Sequence, residues 1–329
     1  MVKNNNIKRG VSLYSYQEEF FLRKLNLEQL LDKSAGLGIK GIEIIGDQMI
    51  PNYPNVSESF YEKWHQMLAK NGQTPVCLDM FLDWNKYKGR VMAFDEKVQS
   101  VLSDIKAANK LGCTVIRVIT NTEPDVLEHV APDAEKYNVR LGVEVHSPFH
   151  FDHEYEQSLL KMYERVKSPY LGFIPDMGIF VKRFPRVISE RWVRDGMSQK
   201  IANFVTGAYD SHANLDHVGE DVKKMGGSAD DVGKAESVKH FINTDPRRLL
   251  DFMPYIFHIH AKFYEMLADY HEYSIPYEDV VPVLIEGGYS GYLSSEYEGN
   301  RHIQDAFEVD SFEQVRRQHV MFKKLLGED

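Results

Sequence analysis

One rhythm runs along this chain from end to end: a short run of β-forming residues, then a longer segment of helical period. The short runs fall at 9–15, 41–45, 74–80, 114–120, 140–146, 171–177, 256–262 and 291–296. Helical segments lie near 27–37, 57–71, 95–111, 123–137, 154–167, 275–287 and 308–326. In 95–111, Val98, Val101, Leu102, Ile105 and Ala108 recur at three- and four-residue steps and make one apolar stripe. Phe312, Val315, His319, Phe322 and Leu326 repeat the pattern in the last segment. Glycine marks several helix-to-strand junctions (LGIKG, NGQT, LGCT, EGGYSG), as a left-handed helix C-cap requires. Eight strands alternating with helices predict a parallel sheet closed into a (β/α)8 TIM barrel, one domain over 1–329. An open doubly wound sheet is the alternative, but the first strand lacks the glycine-rich phosphate turn of that fold.

One stretch breaks the rhythm. Between the sixth and seventh strands lie roughly 75 residues where a crossover helix of about 15 would suffice. The segment, about 180–250, reads as a largely helical insertion on the C-terminal face, with a proline-bounded helix near 245–252. A peripheral decoration without a role in the chemistry is the other reading.

Composition narrows the function. Lys plus Arg number 39 against 49 Asp plus Glu, a net charge of −10. No basic cluster reverses that sign locally, so a nucleic-acid partner is not expected. The hydrophobic fraction of 43% supports a real core and excludes a disordered or fibrous chain. No window approaches the ~18 consecutive apolar residues of a membrane span, and MVKNNNIKRGVSLYS has no signal-peptide core. Cys77 and Cys113 sit in apolar runs and read as buried free thiols, which suits a reducing compartment. The expectation is a soluble, cytoplasmic protein without a membrane partner.

In a parallel barrel the chemistry gathers where strands end, at the C-terminal face. Residues two apart on a strand share a face, so in VRLGVEVHSP Glu144 and His146 point to the barrel mouth while Val143 and Val145 point to the helices. Asp176 follows the apolar run of strand six, His258 and His260 share one face of strand seven, and Glu296 closes strand eight. A strand-end Asp is commonly a cap and a lone His commonly a packed one, but an unpaired interior carboxylate is costly. Glu144, Asp176, a histidine of the pair His258 and His260, and Glu296, on four consecutive strands, converge on one point. Three carboxylates and one imidazole make a hard-leaning divalent site, best suited to Mn²⁺ and open to Mg²⁺, Co²⁺, Fe²⁺ or Zn²⁺. A metal held that way polarises a carbonyl and stabilises an enediolate.

At these residues the chain resembles the xylose-isomerase-like superfamily of TIM barrels, which includes sugar-phosphate isomerases/epimerases and ketose 3-epimerases. The resemblance is carried by SLYSY, GIEIIG, GVEVH, PDMG, HIHAK and LSSEYEG, which span nearly the whole chain apart from the insertion. It implies that Glu144, Asp176, His260 and Glu296 bind one divalent metal. It also selects His260 over His258, as the second histidine ahead of a lysine-bearing turn. In ketose 3-epimerases Glu144 and Glu296 would further act as the acid/base pair across the sugar carbon. Those enzymes carry a substrate-binding His three residues after the strand-six Asp, where this chain has Ile179. The extra His146, the SLYSYQEEF start and the long insertion look more like the large subunit of C-glycoside deglycosidases. Those lyases cleave 3-oxo-glycosides and pair with a small β-rich subunit; there His146 would be the general base, its intrinsic pKa near neutral.

Both outcomes share one step, removal of a proton from carbon α to a carbonyl of a carbohydrate substrate. Reprotonation makes an isomerase or epimerase; expulsion of a leaving group makes a lyase. A non-catalytic sugar- or partner-binding barrel is the rival class. A repair endonuclease of this superfamily would need a trinuclear zinc site and a cationic surface, against the net charge of −10. No basic cluster or glycine-rich cradle favours a phosphate substrate.

Secondary candidates complete the expected site. Glu43 is positioned for a substrate hydroxyl or for pairing with a barrel Lys or Arg. Lys262 is placed for an anionic or enolate oxygen, and Tyr14, with Tyr16, Phe81 and Trp84, for stacking on a sugar or aglycone or for plain core packing. Arg117 points inward as a charge partner or outward under a helix. His212 and His217 read as solvated loop residues. Homo-oligomerisation is common for such barrels.

Overall fold

In the computed structural model, which describes residues 6–328, the eight runs form one parallel sheet curled into a barrel. The strands are β1 (Lys8–Ser12), β2 (Gly41–Ile45), β3 (Thr74–Met80), β4 (Val115–Val118), β5 (Arg140–Val145), β6 (Leu171–Pro175), β7 (Ile259–Phe263) and β8 (Tyr292–Tyr297). Neighbours pair in the order β6-β5-β4-β3-β2-β1-β8-β7. β6 meets β7 through two isolated bridges, Phe173 with Ile256 and Asp176 with His260. That seam sets the backbone of Asp176 abreast of His260.

The two largest departures from the expected strand limits are in β1 and β7. β1 stops at Ser12 rather than 15, because the Ser12 hydroxyl accepts from Tyr14 N (3.4 Å) and starts a tight turn over Leu13–Tyr16. β7 begins at Ile259 rather than 256, the residues before it touching β6 only at the seam.

Helices follow from the apolar stripes. Phe94–Leu111 buries Val98, Val101, Ile105, Ala108 and Leu111 against the sheet and ends on Gly112 at φ 81°, a left-handed cap that glycine adopts without strain. Ser311–Leu326 buries Val315, His319, Phe322 and Leu326 in the same way. Inside the barrel, Val76, Cys77, Val115 and Ile174 pack with Phe257 and Tyr292 as an apolar floor. A side chain at Gly41 would meet the Tyr292 ring at 2.5 Å, so this position is glycine for room rather than for φ. Cys77 and Cys113 are buried free thiols.

Between β6 and β7 the chain forms helices Arg186–Arg194, Gln199–Asp210, Val218–Lys224 and Ala229–Ser237, then short turns through Pro246–Arg248 and Leu249–Phe252. Phe184 packs there against Phe241 (4.8 Å), Trp192 (5.1 Å) and Tyr209 (5.7 Å). This segment touches loops that follow four strands: Ile242 N donates to Ser147 Oγ (3.3 Å), Thr244 N to Ile179 O (2.9 Å), Arg186 binds Glu265, and Arg194 binds Asp305. All four loops lie at the strands' C-terminal ends. No helix among the described residues is long and apolar enough to cross a membrane.

Candidate active site

Above the apolar floor the barrel interior turns polar. Glu43, Asp79, Arg117, Glu144, Asp176, His258, His260 and Glu296 are all buried, each contributed from a strand or its immediate end. Glu144, His260 and Glu296 each offer a ligand atom, and these three atoms lie within 4.8 Å of one another. His260 Nδ1 sits 2.7 Å from Glu144 Oε1 and 3.5 Å from Glu296 Oε2. Its other nitrogen, Nε2, faces Glu43 Oε1 at 3.1 Å and Asp79 Oδ1 at 4.0 Å.

Further expected residues have charged or polar partners within the barrel. Asp176 stands outside the three-residue cluster: its Oδ2 lies 2.6 Å from Lys262 Nζ, and its Oδ1 accepts from Gly178 N (2.6 Å). A buried carboxylate takes the adjacent full positive charge, and here that is the lysine. Lys262 accordingly answers two carboxylates, Asp176 and Glu298 (3.3 Å). Glu43 has no exposed surface, and its partner is a histidine, His258 Nε2 at 2.6 Å, where a barrel Lys or Arg was the expected one. Tyr14 is half-buried at the mouth, its hydroxyl donating to Glu298 Oε1 (3.1 Å), which links it to Lys262.

His146 follows β5 directly and is half-buried beside Glu144. Its Nδ1 lies 2.6 Å from the carbonyl oxygen of Ser147. A carbonyl only accepts, so Nδ1 carries the proton and Nε2 keeps the lone pair of a base. Arg117 points inward, 3.4 Å from Asp79 and 3.9 Å from Glu144, with the half-exposed Phe81 ring 4.5 Å over its guanidinium. His212 and His217 are exposed, and His217 pairs with Glu220 (3.4 Å).

Asp79 and Glu298 belong to this network without having been singled out from the sequence, and so does His258, which the sequence reading set aside in favour of His260. Asp79 carried a usable signal: it stands next to last in the run TPVCLDM, two residues after Cys77, the same inward spacing that picked out Glu144 and His146.

The electrostatics report an excess of negative charge. Glu43, Asp79, Glu144, Asp176 and Glu296 are five buried carboxylates against two fixed cations, Arg117 and Lys262. Against its desolvation, the buried His260 imidazole is held well above its usual range by Glu43, Glu296 and Glu144. Burial pushes the Glu296 carboxyl well above the usual carboxylate range, and it pushes Asp79, beside Glu43, up to about 7. Burial acts the same way on Glu144, but Arg117, His260 and His146 outweigh it and hold that group low. Glu43, Asp79, His260 and Glu296 each keep a buried polar atom without a hydrogen-bond partner. A divalent cation held by Glu144, His260 and Glu296, with Asp176 adjoining across the seam, fits both the donor chemistry and the surplus charge.

Residues 31–318 match the model of the xylose isomerase-like TIM barrel family. The chain belongs to that family. Among curated relatives, the C-glycoside deglycosidase alpha subunit of Arthrobacter globiformis is 33% identical over 325 residues, covering 93% of this chain and 89% of that one. The 3′-dehydrocarminate deglycosidase alpha subunit of a Microbacterium species is 29% identical, covering 97% and 95%. Among solved structures, a D-psicose 3-epimerase superposes with a TM-score of 0.59 at 11% identity, covering 98% of this chain and 100% of that one. The relatives at full length are thus named as subunits of deglycosidases, while the epimerase shares the barrel.

Proposed function

We propose that this family member is a divalent-metal-dependent carbohydrate enzyme that removes a proton α to a carbonyl, and that the proton's loss ends in expulsion of an aglycone. The observation that carries the reading is the buried Glu144–His260–Glu296 cluster with its surplus negative charge, at the mouth of a barrel and beside a histidine with a free Nε2. A bound divalent ion, Mn²⁺ in our assignment, would supply Lewis-acid polarisation of the substrate carbonyl. His146 Nε2 takes the proton; the C–H electron pair becomes a double bond, the bond from the next carbon to the aglycone breaks, and the aglycone collects a proton. Lys262, kept charged by Asp176 and Glu298, faces the oxygen on which negative charge develops. Tyr14, tied to Glu298, orients the sugar at the rim.

Two features favour expulsion over epimerisation. The full-length relatives are named deglycosidases, one of them for a 3′-dehydro substrate. Ile179, three residues past Asp176, is fully buried and apolar, so no imidazole grips the sugar from there. The relatives' designation as alpha subunits also favours a small β-rich second subunit for this chain. The 180–250 segment, bonded to the loops after β5, β6, β7 and β8, forms a wall of the site.

Metal content per chain after manganese loading and dialysis is the first test. About one equivalent is expected in wild type and none in Glu144→Ala. Solvent-deuterium exchange at the substrate carbon then tests the base: His146→Ala should keep its metal and lose the exchange, and unchanged exchange removes His146 from the mechanism.

A further inference from the structure

We propose that Glu43 is the positioning residue of the metal centre, holding the Nε2–H of His260 so that Nδ1 is fixed as the ligand atom. The proposal rests on the metal reading above. A neutral imidazole has one lone pair, and His260 directs Nδ1 at Glu144 and Glu296. A metal on Nδ1 therefore requires the proton on Nε2, and in a water-poor interior that N–H needs an acceptor.

Glu43 Oε1 is 3.1 Å from it. Glu43 Oε1 and His260 Nε2 are both buried without a hydrogen-bond partner, and their 3.1 Å contact lies outside hydrogen-bond geometry, so the bond we propose forms when the metal turns the imidazole or the carboxylate. The carboxylate is itself clamped, because His258 Nε2 holds the second oxygen at 2.6 Å. The backbone contributes as well. The β2–β3 register slips between Ile42 and Glu43, an irregularity of the kind that re-aims a side chain. Glu43 and His258 have almost no exposed surface and cannot reach substrate, so their action passes through His260.

The cluster also admits a second role. Glu43 lies within ligand distance of Cys77 and Asp79, as it does of His258 and His260, and either group could take an ion of its own. Metal titration separates the two roles.

The test is calorimetric titration of Mn²⁺ into chelator-stripped wild type, Glu43→Gln, Glu43→Leu and His258→Phe. Unchanged melting of the metal-free forms serves as the fold control, and Glu43→Gln, nearly isosteric, is the deciding variant should the leucine form not fold. One equivalent should bind in every case, about tenfold more weakly in Glu43→Gln, approaching about 100-fold in Glu43→Leu and a few-fold in His258→Phe. Cobalt-loaded wild type should further show one strongly shifted imidazole N–H proton in slow exchange with solvent, and Glu43→Gln should lose it. A merely structural Glu43 would move the melting temperature and leave the Mn²⁺ affinity and the shifted proton unchanged. Equal affinity in wild type and Glu43→Gln overturns the positioning role and leaves the metal centre standing. Two equivalents in wild type and one in Glu43→Gln overturn it in favour of a second ion. No binding in wild type removes both.

Discussion

The floor and the mouth of this barrel are built from the same strands, one pleat apart. Cys77 on β3, Val115 on β4 and Ile174 on β6 pack as apolar neighbours beside Tyr292. Two residues further along the same strands stand Asp79, Arg117 and Asp176. On β5 the same step leads from Gly142 to Glu144. Since side chains on a strand alternate with a period of two, each pair shares the inward face. The contrast teaches where stability and chemistry part company. The lower tier removes apolar surface from water, which stabilises the fold. The upper tier collects carboxylates that a fold alone does not need and that oppose folding unless a cation answers them.

Substitutions at the two tiers should therefore fail differently. Glu296→Gln at the mouth should lower turnover by roughly a thousandfold, the scale of losing an essential acid/base or ligand carboxylate. Its metal-free form should unfold at the same or a higher temperature, because a buried acid with a raised pKa has been neutralised. Ile174→Ala at the floor should do the reverse. It removes a fully buried side chain and leaves a cavity, costing about 3 kcal/mol of stability by denaturant titration, while turnover per folded molecule stays within about twofold. If Ile174→Ala abolished turnover without a stability loss, the two tiers would not be separable in this way.

The two tiers were also unequally legible in the sequence. Barrel, strand spacing and most helix limits follow from apolar periodicity, a local signal that needs no knowledge of neighbours. The mouth residues Glu144, His260 and Glu296 were readable because a charged group inside an alternating apolar run is costly to bury without a partner or a ligand. What pairs with what was not readable. Glu43 read equally as a substrate contact or as the partner of a barrel Lys or Arg, and the β2–β3 register shift sets it beside His258 and His260 instead of a fixed cation. Asp176 looked like a ligand by its position, and Lys262, eighty-six residues later in the chain, answers it across the β6–β7 seam. Those outcomes depend on contacts between strands distant in sequence, which periodicity does not encode.

Asp104 sharpens the comparison from outside both tiers. It lies on the helix Phe94–Leu111, buried and hydrogen-bonded by the Tyr53 hydroxyl, away from the ligand cluster. Burial pushes its carboxyl from the usual 3.8 up to about 7, only partly offset by that hydrogen bond. Because the folded state binds this proton more tightly than the unfolded chain, the stability it contributes is present below pH 4 and is lost as pH rises towards 7. The expected slope between pH 5 and 6.5 is a fall of about 1 kcal/mol per pH unit from this group. Asp104→Asn keeps an acceptor for Tyr53 and removes the titration, so its stability should be flatter across that window, with Mn²⁺ affinity unchanged. A wild-type curve no steeper than that of Asp104→Asn would mean that Asp104 is already ionised in the folded protein. Surplus buried negative charge would then extend beyond the barrel mouth, and the charge argument for a cation there would lose its contrast.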